Sequence, residues 1–168
     1  GVEGSSRFLN RVYRYIIDLS QQERQDRHAA SQADRLLNRK THQTIRKVTH
    51  DIETNFHFNT AISAVMELFN TLVSVSDASR KESASVENIH ETIKIMLLLL
   101  FPMVPHFCSE MWKIMNLDHR PEELEWPAYD EEAAKEELLT IVIQVNGKVR
   151  SRLEVPAETE NDRLEKLA

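Results

Sequence analysis

Residues 34–52, DRLLNRKTHQTIRKVTHDI, decide the fold because they carry two opposite stripes at helical spacing. At about 100° per residue, the side chains that a core would accept fall on one side of a helix. They are Leu37, Thr41, Ile45, Val48 and Ile52. The basic side chains fall within an arc of roughly 80° on the nearly opposite side. They are Arg35, Arg39, His42, Arg46 and His50. The stretch predicts a long helix over residues 29–54 with one buried side and one basic ridge.

Four further segments have helical spacing or a long apolar run, and short polar connectors separate them. The predicted helices cover residues 5–19, 58–75, 85–100 and 105–117. Ser85 suits the N-cap of the fourth helix, and Pro105 suits the first turn of the fifth. Helices joined by short connections form an antiparallel bundle. The predicted fold class is therefore mainly α, with an antiparallel five-helix bundle over residues 1–117.

Residues 118–138 differ from the bundle because they are strongly acidic and contain Pro121 and Pro127. Neither the helical nor the strand period fits them. We expect an irregular linker that packs on the bundle through Trp126 and Tyr129.

Beyond this linker the hydrophobic pattern alternates, which predicts β-strands. Asn146-Gly147 lies between two such runs and is a strong hairpin signal. A two-residue loop would mix apolar and charged residues on both faces of the hairpin. A three-residue loop of Val145, Asn146 and Gly147 separates them into an apolar and a basic face. The basic face would hold Lys148, Arg150 and Arg152.

Residues 159–162 resemble a capping box, which predicts the start of a helix after the hairpin. A lone hairpin is marginally stable in water. Residues 139–168 are therefore predicted to be the beginning of a truncated small α+β domain that continues past Ala168 in the natural protein.

The charge of the chain is unevenly distributed. Residues 1–50 hold ten Lys and Arg against five Asp and Glu, which gives this part a net charge of +5. Because the whole chain has a net charge of −6, the other 118 residues carry −11. Such asymmetry suggests one surface built for a polyanion and an acidic surface kept away from it. Cys108 is the only cysteine, which excludes an internal disulfide framework and favours a cytosolic protein. The longest apolar run, residues 95–104, is too short to span a bilayer.

The first predicted helix repeats the basic stripe, because Arg7, Arg11 and Arg14 lie within about 60°. Arginine forks bind phosphate through two parallel hydrogen bonds, so a row at helical spacing can follow a nucleic-acid backbone. The alternative for each stripe and for the basic face of the hairpin is a solvated surface with weak ion pairs.

The sequence offers no catalytic or metal site. Gly147-Lys148 lacks the earlier glycine and the hydroxyl residue of a phosphate-binding loop. His42 and His50 are eight residues apart, and one cysteine cannot complete a typical zinc set. His106, Cys108 and Glu110 are two residues apart on one helix, so their side chains do not face each other.

Several stretches resemble leucyl-tRNA synthetases. They include residues 7–12 (RFLNRV), 39–45 (RKTHQTI), 58–63 (FNTAIS), 102–106 (PMVPH), 126–127 (WP) and 155–157 (VPA). The most specific match is QVNGKVR at residues 144–150. Valyl-, isoleucyl- and methionyl-tRNA synthetases have related bundles, but this motif favours the leucyl enzyme of bacterial type, with organellar enzymes close to it.

The resemblance implies the C-terminal part of a class I enzyme that joins leucine to tRNA with ATP and Mg and edits wrong products. The HIGH-type and KMSKS-type motifs of the catalytic domain lie upstream in the family and do not occur here. The resemblance therefore implies no catalytic residue, metal or cofactor in this part of the enzyme. Its implied partners are tRNA(Leu) and the enzyme's own catalytic domain, in a cytoplasmic monomer with no membrane contact.

In the family, the bundle docks along the tRNA without reading the anticodon bases, and the small C-terminal domain reaches the tRNA elbow and long variable arm. Both are mainly contacts to backbone and shape. The candidate tRNA-binding residues are Arg7, Arg11, Arg14, Arg35, Arg39, His42, Arg46, His50, Lys148, Arg150 and Arg152. A helical protein-interaction module, whose charges only keep it soluble, is the other hypothesis.

Overall fold

The computed structural model describes residues 2–21, 31–77, 83–135, 138–145 and 148–156. Contacts between residues divide the chain into two compact units, residues 1–134 and 135–168. In the first unit, five α-helices are followed by a short 3-10 turn. They are α1 (Val2–Ser20), α2 (Gln32–Asn55), α3 (Phe58–Val75), α4 (Val86–Leu100), α5 (Pro105–Ile114) and the turn Pro121–Glu123. The prediction of a mainly helical chain with five helices is confirmed for the described residues.

The core of the first unit forms where the five helices turn their apolar sides toward each other. Helix α2 packs on α3 and α4, and α5 packs on α1 and α4. The predicted buried side of α2 is confirmed, with Ile52 half-buried and the others buried. Thr41 is accepted there because its hydroxyl donates to the carbonyl oxygen of Leu37 at 2.8 Å.

Helix α1 is attached to α3 through aromatic side chains. The ring of Phe69 on α3 meets Phe8 and Tyr15 of α1 edge-on, with ring centroids 5.8 and 5.7 Å apart. Edge-to-face pairs of this kind add to the stability that burial already supplies. Val12 and Ile16 on the same helix are fully buried.

Helix α3 is long and apolar enough to cross a membrane by length and composition alone. Seven of its residues are buried, and they include Val65, Leu68 and Leu72. A core helix passes the same test, so this helix is weak evidence for a membrane span.

Asp34 joins the N-termini of α2 and α4. Within α2 it forms a capping box, in which Ser31 Oγ accepts from the Asp34 N–H and Ser31 N–H donates to Asp34 Oδ2. Its other oxygen, Oδ1, accepts from the N–H and the hydroxyl of Ser85, the N-cap of α4, at 2.7 and 2.8 Å. Asn88 donates to the main-chain oxygen of Asp34 at 3.0 Å. The prediction that Ser85 caps the fourth helix is confirmed, and its hydroxyl is held by a residue 51 positions earlier.

The carboxylate of Asp34 is stabilised in its charged form. Burial alone would raise the pKa of Asp34, but hydrogen bonds from Ser31 and Ser85 outweigh burial and lower the pKa from 3.8 to about 2. The folded state thus favours the ionised side chain that both helix N-termini also favour.

The turn between α2 and α3 is two residues long and places Phe56 in a left-handed conformation with φ 51°. The Phe56 N–H bonds the carbonyl oxygen of Ile52, and the His57 N–H bonds that of Asp51. Glycine is the usual residue at such a helix end, because a Cβ is unfavourable there. Phe56 is also 71% exposed, so burial does not offset this strain.

The fifth helix ends at Ile114 and not at the predicted residue 117. Asn116 adopts a left-handed φ of 50°, a conformation that asparagine tolerates better than most residues and that stops the helix.

In the second unit, β1 (Leu138–Val145) and β2 (Lys148–Pro156) pair as antiparallel strands. The predicted register is wrong, because Val145 pairs with Lys148 and Gln144 with Val149. The register then shifts, and Ile141 pairs with Leu153. The shift in register within the strands places Ile141 opposite Leu153 and Leu139 opposite Val155.

Some predictions fall outside the described residues. They concern the connector and helix start at residues 22–30, the turn residues 146–147 and the capping box at residues 159–162.

We expect Asp34→Ala to destabilise the protein by about 2 kcal/mol at neutral pH, because it leaves cap donors of two helices without their acceptor. The measurement is chemical denaturation followed by circular dichroism. Asp18→Ala is the control, since Asp18 is exposed on α1 and its loss should change the stability by less than about 0.5 kcal/mol.

The same variant tests the lowered pKa. Ionised Asp34 stabilises the fold fully above the unfolded-state pKa of 3.8, and this contribution is lost as the pH falls toward the folded-state value of about 2. The stability difference between wild type and Asp34→Ala should therefore shrink by about 2 kcal/mol between pH 5 and pH 2. A difference that does not depend on pH would contradict the assignment.

Phe56→Gly should stabilise the protein by about 1 kcal/mol relative to Phe56→Ala, because both remove the ring but only glycine relieves the left-handed backbone. Thermal unfolding of the two variants measures the difference. Equal stabilities would show that the turn is not strained.

Candidate nucleic-acid interface

The basic ridge of α2 lies on the side of the helix opposite its buried face. Arg35, Arg46 and His50 are exposed, whereas Arg39 and His42 are half-buried. The structure thus places all five predicted residues on one helix surface, but with unequal access to solvent.

Residues 126–134 run along the same surface of α2, and we call them the acidic strap. Gln43 of α2 donates from Nε2 to the main-chain oxygen of Ala134 at 2.9 Å, and Ala134 is only 2% exposed. At the other end, the indole Nε1 of Trp126 donates to Thr49 Oγ1 at 2.8 Å. The predicted packing through Trp126 and Tyr129 is partial, since these side chains are 40% and 39% exposed.

Two residues of the ridge are in contact with the acidic strap. The main-chain N–H of Asp130 donates to Nδ1 of His42 at 3.0 Å, so this ring nitrogen carries no proton. Arg46 NH1 lies 3.3 Å from Glu131 Oε2. The expectation that the acidic surface stays away from the basic one is therefore wrong at the strap.

The three arginines of the basic stripe on α1 differ in their contacts. Arg11 donates to Asn70 Oδ1 at 3.0 Å and lies over the ring of Phe69, 5.3 Å from its centroid. This arginine holds α1 to α3. Arg7 and Arg14 are exposed and have no hydrogen bond or ion pair within the described part of the chain.

The three basic residues predicted for the hairpin lie on β2. Lys148 pairs with Val145 and Arg152 with Val142, while Arg150 falls at the shift in register. The alternation that predicted one basic face is therefore interrupted at Arg150.

Elsewhere in the described residues, the groups that commonly do chemistry are not assembled. No three His, Cys, Asp or Glu side chains there come close enough to hold a metal ion. Burial raises the pKa of the Cys108 thiol to about 12, which keeps it protonated and unreactive. The exposed arginines of α1 and α2 can bind an anionic ligand by their charge and hydrogen-bond donors.

A family model for the anticodon-binding domain of tRNA ligases matches residues 34–166, more than half of the chain. The chain belongs to this family. The match includes α2, the acidic strap and both strands, so the ridge and the strap lie within the family's domain.

Proteins named leucine–tRNA ligase are similar to the chain over its whole length. The one from Desulfotalea psychrophila is 52% identical over 100% of this chain and 21% of its own length. The one from Syntrophus aciditrophicus is 44% identical over 100% of this chain and 20% of its own length. The predicted resemblance to leucyl enzymes is confirmed, and the chain spans about a fifth of the length of these relatives.

The fold is similar to that of a solved ternary complex of Agrobacterium radiobacter K84 agnB2 LeuRS with tRNA and LeuAMS. The TM-score is 0.74 and the identity is 23%, over 99% of this chain and 21% of that one. At this identity the likeness concerns the fold alone.

Helical spacing predicted the basic residues of α1 and α2, but it did not predict which residues they contact. Glu131 is 85 residues from Arg46, and Asn70 is 59 residues from Arg11. The sequence signal for the contact of Glu131 was the acidic composition of residues 118–138. Composition does not show which basic residues such a segment contacts.

Proposed function

We propose that this chain is the tRNA-binding part of a leucine–tRNA ligase, which positions tRNA(Leu) through contacts to backbone and shape. The exposed arginines of α1 and α2 carry the proposal. Arg7, Arg14 and Arg35 have exposed side chains without a hydrogen bond or ion pair in the described ranges. Guanidinium groups left unpaired on a surface are available for phosphate.

The form of the surface favours backbone contacts over the reading of bases. The arginines stand on convex helix sides at helical spacing, where they can reach successive phosphates. Recognition of single bases needs pockets or stacking platforms for unstacked nucleotides. A row of charged side chains supplies affinity and register and leaves specificity to the shape of the tRNA.

The chemistry belongs to other parts of the whole enzyme in this proposal. ATP-dependent leucylation, with Mg, would take place on a catalytic domain outside this chain, and that domain and tRNA(Leu) would be its partners. Leucine–tRNA ligases about five times as long as this chain support this division. We further propose a monomeric, cytoplasmic enzyme with no membrane contact.

We propose three functional regions: the helical tRNA-binding bundle (1–117), the acidic linker (118–138) and the start of a small α+β domain (139–168) with a β-hairpin. The pairing of β1 with β2 and the family match up to residue 166 support the last region. Lys148, Arg150 and Arg152 would add phosphate contacts from this domain.

The salt dependence of tRNA binding tests the proposal. Each phosphate contact that is lost should make the slope of log affinity against log salt shallower by about 0.7 to 0.9. We expect this for Arg35→Gln, and about twice this for Arg7→Gln with Arg14→Gln, measured by fluorescence anisotropy with labelled tRNA(Leu). Lys113→Gln is the matched control, because Lys113 carries the same positive charge, is 75% exposed and lies on α5, away from the basic stripes of α1 and α2.

Slopes that match wild type in all the arginine variants would contradict phosphate binding by these helices. A slope change in Lys113→Gln equal to that in Arg35→Gln would indicate a general effect of net charge, and not of an ordered surface.

A second candidate function is docking on another domain of the same enzyme, and the aromatic residues at the α2–α3 turn favour it. Phe56 and Phe58 are 71% and 40% exposed, with ring centroids 6.3 Å apart. Exposed aromatic pairs are typical of interaction surfaces. In the whole enzyme, Phe56→Asp should lower leucylation at least several-fold without changing the salt slope of tRNA binding. Unchanged leucylation would exclude this role.

A further inference from the structure

The acidic strap covers the middle of the α2 ridge, at His42 and Arg46. Its contacts to α2 involve His42, Gln43, Arg46 and Thr49, which lie in the middle of the helix. Arg35, three residues after the start of α2, is exposed and has no hydrogen bond or ion pair to any described residue. The ridge is thus open at its N-terminal end and covered from His42 to Arg46.

The two covered residues are less able to bind phosphate than a free arginine or histidine would be. The Arg46 guanidinium already faces a carboxylate, Glu131, at 3.3 Å. His42 accepts a hydrogen bond on Nδ1, so this nitrogen cannot donate to a phosphate. Asp130, Glu131 and Glu132 are exposed beside them and would repel a polyanion.

We propose that the acidic strap masks His42 and Arg46 in the middle of the α2 ridge, so that Arg35, at the open N-terminal end, makes the contact to RNA phosphates that these two residues do not make. The proposal rests on the proposed tRNA-binding function and deepens it. In this proposal, Arg46 and His42 hold the acidic strap. The surface of α2 that contacts RNA is then shorter than helical spacing predicts.

The strap does not depend on the ion pair for its position. Arg46 and Glu131 are 48% and 65% exposed, and ion pairs at such exposure contribute little to stability. Ala134 is buried, and the hydrogen bonds of Gln43 and Trp126 connect neutral groups. Neutralising Glu131 should therefore unmask Arg46 and leave the strap in place.

Charge variants at both positions, combined in a double-mutant cycle, test the mask. Glu131→Gln should bind tRNA(Leu) about five-fold more tightly at physiological salt and steepen the salt slope by about 0.7 to 0.9, the effect of one added phosphate contact. Glu131→Ala, which also removes the hydrogen-bond acceptor, should do the same. Arg46→Gln should not change wild-type binding, yet it should abolish the gain in the Glu131→Gln background.

Glu110→Gln is the matched control. Glu110 is 62% exposed and lies 3.5 Å from Lys113 in an ion pair like that of Glu131, but on α5. We expect its loss to leave the slope unchanged. An equal gain in affinity from Glu110→Gln would overturn the mask in favour of a general effect of net charge.

Two results would overturn the mask while the proposed function stands. One is an Arg46→Gln slope as shallow as that of Arg35→Gln in the wild-type background. The other is a Glu131→Gln slope equal to wild type. If Arg35→Gln and the α1 variants also have no effect, the proposed function itself fails, and the mask fails with it.

Discussion

The structure of the bundle depends on one carboxylate, that of Asp34, which serves the N-termini of two helices at once. Its Oδ2 closes the capping box with Ser31, and its Oδ1 accepts from the N–H and hydroxyl of Ser85. These contacts bring the beginning of α2 to the beginning of α4 across a separation of 51 residues. Because α2 packs on both α3 and α4, the position of its first turn also determines the direction of its long basic side. A charge buried at 8% exposure is stable here because N–H and hydroxyl groups of the two N-cap residues and the amide of Asn88 donate to it.

Helix α2 therefore contributes to the core with one side and carries both exposed and covered basic residues on the other. Its apolar side enters the core, its basic side exposes Arg35 at the N-terminal end, and the middle of the basic side holds the acidic strap. The uneven charge of the chain has a different meaning from the one that composition suggests. The acidic residues after the bundle are not all remote from the basic helix, since Glu131 touches Arg46. Net charge and charge asymmetry describe what a chain contains, while only the fold decides which charges meet.

The sequence was sufficient for features that depend on neighbours within a few residues. Helical spacing predicted the buried side of α2, and Ser85 was recognised as an N-cap because capping is a local interaction. Contacts between distant residues were not predictable, because no spacing rule connects Asp34 with Ser85 or Glu131 with Arg46. The strand register failed for a related reason. Moving the extra residue from the loop to a bulge separates apolar from charged residues nearly as well, so hydrophobic pattern alone could not choose between them.

The position of the strap also explains why a row of basic residues is a poor measure of a binding surface. Spacing on a helix treats Arg35 and Arg46 as equivalent, since they lie within the same narrow arc. The fold makes them different, because Arg35 has no partner among the described residues, whereas Arg46 faces a carboxylate fixed by neighbouring neutral contacts. The surface that can bind a polyanion consists of the cationic side chains that are not already paired with carboxylates of the same chain. On α2 this surface is smaller than the ridge, and it lies at the end where Asp34 fixes the helix to its neighbour.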